Sequence, residues 1–260
     1  MALVLITGGT GTLGRHVAER VSRNGDDVRV LSRHPHPSEP GVQHVVGDLA
    51  TGRGIAEAVT GVDVIAHCAG GPKGDEDLTR TLVTAARRAG EPHIVSVSVV
   101  GADRVPMRGR IDRTLFGYFA MKLATERVVQ QSGLPWTVLR ASQFFELIET
   151  VASTLAKSPV VPTFRGLKFQ PVDVETVADH MAGLIRAEPA GLAPDVAGPD
   201  AADMAVFLRE YLRATGKRRA MLPIPVPGAA AHAIAAGAIT APDRAVGRKT
   251  WAEFLRERRH

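Results

Sequence analysis

Ala2-Leu3-Val4-Leu5-Ile6-Thr7-Gly8-Gly9-Thr10-Gly11-Thr12-Leu13-Gly14 decides the fold. Ala2 to Thr7 is a continuous apolar run, as a strand covered on both faces should be. Leu13, Val17 and Val21 then recur at helical spacing, and Asn24-Gly25 supplies a stop. Glycines at 8, 11 and 14 stand between run and helix. A tight turn needs a residue that tolerates positive φ, close approach of backbone to a pyrophosphate forbids a Cβ, and helix–strand packing favours a third glycine. The helix N-terminus adds free N–H groups and partial positive charge. The strand–turn–helix over residues 2–24 thus predicts a dinucleotide site, with Gly8, Thr10, Gly11, Thr12, Leu13 and Gly14 around the pyrophosphate of a nicotinamide cofactor.

Further along, apolar runs alternate with amphipathic stretches, the pattern of βαβ units. Strands are expected at Val28 to Leu31, Val42 to Val46, Val62 to Ala66, His93 to Val99 and Thr137 to Arg140, with helices at Asp75 to Ala89 and about Leu115 to Gln131. Gly101 to Arg113 reads as a polar, Arg-rich connection. Right-handed crossovers put the first and fourth strands side by side at the switch point, with a cleft above their C-terminal ends. After Arg140 the pattern changes: Phe144 to Ala156 and Val174 to Arg186 look helical, and Phe169 to Val172 looks like a short strand. The expected fold is α/β, a Rossmann-type doubly wound parallel sheet with a small C-terminal α/β substrate-binding region. Its division is residues 1–143 for the NAD(P)-binding part and 144–260 for the smaller region, which partly returns to the sheet around 168–187.

The 260 residues suffice for a full core, and 45% hydrophobic with 23% charged is ordinary soluble composition. A net charge of +5 raises the question of nucleic acid. The excess Arg is spread along the chain, apart from Lys217-Arg218-Arg219 and the Arg256 to His260 tail, and only 5% of residues are aromatic. Anionic small molecules fit that charge as well. Cys68 is the only cysteine, so no intrachain disulfide forms and a reducing compartment is expected. The opening apolar run reads as a strand rather than a signal peptide, and Ala229 to Ile239 is too short to span a bilayer. The expectations are a cytoplasmic protein, a small-molecule substrate, no nucleic acid, no membrane, and a homodimer as candidate assembly. The nine histidines show no paired helical spacing, so no metal site is expected.

The end of the second strand selects the dinucleotide. An NAD-preferring site places Asp or Glu there for the ribose 2′-hydroxyl. This chain has Ser32-Arg33: a hydroxyl, and a planar charged fork suited to a 2′-phosphate. NADP(H) is therefore expected over NAD(H). Asp48-Leu49 sits where an adenine amino group is met, although Asp48 equally suits a turn or cap.

Tyr118 and Lys122 lie four apart on a predicted helix and so share a face. An ammonium near a phenol favours the phenolate, and such a tyrosine gives a proton to a carbonyl oxygen as hydride reaches its carbon. The lysine also reaches the nicotinamide ribose. Ser98, or Ser96 beside it, ends the fifth strand and can orient that oxygen. The alternative is that Tyr118 packs with Phe116 and Phe119 while Lys122 is solvated.

The glycine-rich opening, Gly47-Asp48-Leu49, Val97-Ser98-Val99-Val100-Gly101-Ala102-Asp103-Arg104 and Tyr118-Phe119-Ala120-Met121-Lys122 resemble the atypical short-chain dehydrogenases/reductases. Ser132-Gly133-Leu134-Pro135-Trp136 through Phe144, Gln170-Pro171-Val172-Asp173-Val174 and Val196-Ala197-Gly198-Pro199 resemble the NmrA-like, NAD(P)H-binding branch. The resemblance covers nearly the whole chain. It implies a Rossmann core with the cofactor over Gly8, Gly11 and Gly14, contacts from Arg33, Asp48 and the Ala69-Gly70 loop, and Lys122 at the ribose. The loop Ala141 to Phe145 then borders nicotinamide and substrate, with Gln143, Phe144 and Phe145 as substrate residues. The Arg104 to Arg113 stretch is long for the family and suggests a lid. The function expected is an NADP(H)-dependent reductase of a carbonyl or quinone-like small molecule. A non-catalytic NADP(H) sensor and an epimerase- or dehydratase-type tailoring enzyme are the alternatives.

Overall fold

The computed structural model describes residues 1–37, 39–71 and 74–258, so the last two residues of the basic tail lie outside it. In chain order the elements are β1 (Leu3–Thr7), α1 (Thr12–Arg23), β2 (Asp27–Ser32), β3 (Val42–Val46), α2 (Ile55–Val59), β4 (Val64–His67), α3 (Asp75–Ala89) and β5 (His93–Val99). Next come α4 (Arg110–Gln130), β6 (Trp136–Ala141), α5 (Phe145–Leu155), β7 (Val160–Phe164), β8 (Lys168–Phe169), α6 (Val174–Ile185) and β9 (Gly191–Leu192). After them follow β10 (Ala202–Asp203), α7 (Met204–Ala214), β11 (Ala220–Ile224), α8 (Ala229–Ala235) and α9 (Trp251–Glu257). They form two compact units, one of Met1–Ser98, Met121–Leu139 and Val177–Ala193, the other of Val99–Ala120, Arg140–Thr176 and Pro194–His260. Besides the later return to the first unit, Val99–Ala120 is an excursion into the second unit that lies before the expected boundary at 143/144.

The first unit is built on a sheet of order β3-β2-β1-β4-β5-β6-β9 among the described residues. The β1–β2, β1–β4, β2–β3 and β4–β5 pairings are parallel. Val4, Leu5, Ile6, Ile65 and Ala66 are fully buried, which is why these strands read as unbroken apolar runs. Strand order reverses between β1 and β4, with Thr7 opposite His67 at their C-terminal ends. This is the Rossmann-type α/β fold, and that reversal is where such sheets bind ligands. Leu82, Val83 and Ala86 of α3 and Val128 and Val129 of α4 join Leu5, Ile65 and Ile94 in one core.

The second unit has its own core, in which Phe145 and Ile148 of α5, Phe207 and Leu208 of α7 and Trp251 and Phe254 of α9 pack together. Small sheets pair β7 with β11 in parallel and β8 with β10 antiparallel.

Two elements differ from expectation. α4 begins at Arg110, five residues before Leu115, because Asp112 accepts from the backbone N–H groups of Arg108 (3.1 Å) and Gly109 (3.0 Å) and so caps the helix start. The strand expected at Phe169 to Val172 ends at Phe169, since Pro171 lacks an N–H and Gln170 turns inward to bond Gly198 O and Ala241 N–H. The return to the first unit expected around 168–187 runs over Val177–Ala193, and β9 within it extends the main sheet.

Candidate functional site

Where β1 turns into α1, Gly8 and Gly14 are positions that no side chain can occupy. Gly8 has φ +69°, and a Cβ there would lie 2.7 Å from Ala69 Cα. At Gly14 a Cβ would lie 2.2 Å from Gly8 O, so α1 approaches the turn closely only because that residue is glycine. Gly11 is the N-cap of α1, with no side-chain cap and no acidic residue in the first turn. The first-turn amides of a helix have no partner of their own, and here Thr10, Gly11 and Thr12 are exposed. A bare backbone, a dipole end and the absence of a competing carboxylate fit a dinucleotide diphosphate.

Around this turn lie the other sequence-expected cofactor positions of the first unit. Ser32 is buried and its hydroxyl accepts from His34 N–H at 3.2 Å. Arg33 is exposed and forms no ion pair or hydrogen bond among the described residues. Asp48 turns its carboxylate onto its own loop, accepting from Ala50 N–H (3.0 Å) and Thr51 Oγ1 (3.4 Å). Leu49 is a core side chain packed with Leu31 and Ile55, which leaves only its backbone for a ligand. Ala69 meets Gly8, and Gly70 lies where a Cβ would come within 2.9 Å of Lys122 Nζ.

Lys122 is buried, against the alternative of a solvated lysine. Its ammonium bonds Asp75 Oδ2 at 2.9 Å, and Asp75 Oδ1 accepts from Gly71 N–H at 2.7 Å. Behind this pair runs a chain of buried hydrogen bonds. Thr79 Oγ1 donates to Asp75 O (2.7 Å), so it accepts from His67 Nε2–H (3.0 Å), and His67 Nδ1 accepts from Thr7 Oγ1 (2.7 Å). Burial, then the nearby Lys122 charge, pull the His67 pKa down to about 4, with Asp75 opposing. The imidazole is therefore neutral near pH 7 and serves as a relay between two threonines. Burial pushes the Cys68 thiol up to about 12, which leaves it inert as a nucleophile.

Ser98 lies near the end of β5 with its Oγ buried and, among the described residues, without a hydrogen-bond partner, a costly state for a hydroxyl unless a ligand meets it. Ser142, just after β6, is in the same condition in the second unit. Tyr118 belongs to the second unit, 47% exposed and edge-on to Phe119.

Two of the three substrate residues expected at 143–145 serve the structure instead. Phe145 is 1% exposed, held 5.7 Å from the Trp251 ring and 5.2 Å from that of Phe254, and is a core residue rather than a pocket wall. Gln143 is spent on structure, donating to Ile239 O (3.2 Å) and accepting from Gln170 N–H (3.2 Å). Phe144 is the N-cap of α5 and keeps part of its surface accessible.

Residues 8–188 match the NAD(P)H-binding family. The chain belongs to that family. It is 30% identical over 206 residues to the (4-alkanoyl-5-oxo-2,5-dihydrofuran-3-yl)methyl phosphate reductase of Streptomyces griseus, spanning 76% of this chain and 69% of that one. It is 29% identical over 246 residues to the ceramide reductase of Caulobacter vibrioides, spanning 87% and 74%. Its fold matches the NADPH-dependent quinone oxidoreductase of Escherichia coli in complex with NADPH, with TM-score 0.81 and 19% identity over 99% of this chain and all of that one.

Within this NAD(P)H-binding chain, sequence reasoning missed Asp75, His67, Thr7 and Thr79. Asp75 carries a faint signal, an acid opening a helix just after a strand-end glycine pair, but nothing in the spacing ties it to Lys122. Among the described residues no three His, Cys, Asp or Glu side chains gather as for a metal, and no helix is long and apolar enough to cross a membrane.

Proposed function

We propose that this protein is an oxidoreductase that uses NADP(H) to move hydride to or from a carbonyl or quinone-like small molecule. The observation that carries the reading is the turn from Gly8 to Gly14, where Gly8 and Gly14 leave no room for a Cβ, opening on the uncapped first turn of α1. Ser32-Arg33 at the end of β2, with no acid there and Arg33 unpaired among the described residues, supports a 2′-phosphate partner and hence NADP(H). Bound there, the nicotinamide supplies or takes the hydride. In this reading Lys122 holds the ribose and Tyr118 passes a proton to the substrate oxygen. Ser98 donates its otherwise unpartnered hydroxyl to that oxygen. The single cysteine fits a reducing, cytoplasmic setting.

Titration with NADPH and NADH tests the cofactor. The expected outcome is tighter binding of NADPH, lost on Arg33→Ala with little change for NADH; an equal loss for both overturns the 2′-phosphate assignment. Tyr118→Phe tests the chemistry across a panel of quinones, aldehydes and ketones. Turnover should fall about 100-fold or more with nucleotide affinity retained. Unchanged turnover removes Tyr118 from the reaction, and tight binding by the wild type without any turnover favours the sensor.

A further inference from the structure

The second unit carries a concentration of positive charge that the dinucleotide reading leaves unused. α7 ends at Ala214, and the chain reverses through Gly216 at φ +67°. Gly216 N–H bonds Arg213 O (3.2 Å) and Lys217 N–H bonds Leu212 O (2.9 Å), the paired closure of a helix by a left-handed glycine. That reversal folds Lys217, Arg218 and Arg219 back beside Arg209 and Arg213, which share one face of α7 four residues apart. These five basic residues line one pocket together with Leu212, Ala220 and Met221, and no acidic residue lines it.

The basic groups are not bridged to carboxylates. Among the described residues, none of the five forms an ion pair; Glu210 feels the charge of Arg213 without bridging to it. Two of the heads are fixed by neutral partners instead. Lys217 Nζ sits 5.9 Å from the centre of the Tyr211 ring, and Arg219 donates to Ala156 O (3.2 Å) and Arg218 O (3.1 Å). A helix C-terminus favours one or two nearby cations, but its effect fades within the last turn and does not account for three more beyond it. Like charges gathered at one concavity repel one another until an anion joins them.

We infer that this pocket is a second anion site, for a ligand bearing a phosphate group with more than one negative charge. Guanidinium forks match phosphate oxygens two at a time, and the lysine adds a point charge. Nothing in this inference depends on the nucleotide reading, since every residue involved belongs to the second unit.

The test compares the wild type with Arg213→Gln/Lys217→Gln/Arg218→Gln, three exposed or half-exposed side chains whose loss leaves the core intact. Inorganic pyrophosphate is titrated by calorimetry in the presence of saturating NADPH, so that the glycine turn is occupied. The wild type should bind pyrophosphate, and the triple variant about tenfold or more weaker, with the same melting temperature and NADPH affinity. The binding should also weaken steeply with salt. Phosphatidylglycerol and phosphatidylcholine vesicles then separate the sources of the phosphate. Retention on the anionic vesicles alone, lost in the triple variant, assigns it to a lipid headgroup; no retention assigns it to a soluble phosphate ester. Equal pyrophosphate affinity in both proteins, or none in the wild type at millimolar concentration, overturns the inference. The wild-type-to-variant comparison keeps its meaning even if NADPH does not bind, so the two readings fail separately.

Discussion

At the residue scale the first unit depends on one buried ion pair. Lys122 and Asp75 have side chains 9% and 1% exposed and meet at 2.9 Å, so neither tolerates loss of its partner. Asp75→Asn removes the carboxylate that meets this buried ammonium and is expected to cost about 3–5 kcal/mol, read as a fall in the urea midpoint. It should also loosen NADPH binding, because Asp75 holds both the ammonium and the Gly71 amide. The pair Asp75→Leu/Lys122→Met should be more stable than Asp75→Asn alone; the reverse order would mean that the pair is not buried as described. Gly14→Ala is expected to abolish nucleotide binding, since its Cβ would lie 2.2 Å from Gly8 O and α1 would have to withdraw from the turn. The glycines were legible in the sequence because their constraint is local. Asp75 was not, because its partner lies 47 positions away and is reached only through the packing of α3 and α4.

At the element scale, helix starts and aromatic packing separate what the sequence conveys from what it withholds. α9 begins with a reciprocal cap: Thr250 Oγ1 accepts from Glu253 N–H while the Glu253 carboxylate accepts from Thr250 N–H. Thr250→Ala should lower stability by about 1 kcal/mol in chemical denaturation. α5 is amphipathic, and its apolar residues suit a core and a pocket equally well. Only the positions of Trp251 and Phe254 decide that Phe145 belongs to the core. Phe145→Ala is accordingly expected to cost about 3–5 kcal/mol, far beyond the loss of a substrate contact; a variant that melts like the wild type but turns over poorly would return it to the pocket. The early start of α4 has the same origin. Asp112 looks like one acid in an Arg-rich stretch, yet it accepts from Arg108 and Gly109 on one side and from Ala230 N–H (3.1 Å) on the other.

For the whole molecule, the buried histidines couple stability to pH. The unfolded chain, with its imidazole near the ordinary 6.5, takes up a proton before the folded chain does, whose His67 has a pKa of about 4. Stability from His67 is therefore complete above about pH 6.5 and is lost as pH falls toward about 4, a change on the order of 3 kcal/mol. His93, lowered mainly by burial, adds to the same slope. Denaturation curves between about pH 7 and about pH 4.5 should show the midpoint falling, and His67→Gln should flatten part of that fall. An unaltered slope in the variant would mean that His67 is not buried neutral in the folded protein.

The sequence by itself determined the parallel sheet, its order through the first strands, and the nucleotide turn. Each of these is written in short-range signals: unbroken apolar runs, helical periodicity, and glycines where a Cβ cannot fit. The tertiary structure alone decided how Lys122 is held, that His67 is neutral, that Phe145 and Gln143 are structural, and that five basic residues share one pocket. Those outcomes depend on contacts between residues far apart in the chain, and burial, which sets both charge state and role, is a property of the packed molecule and not of any segment read alone.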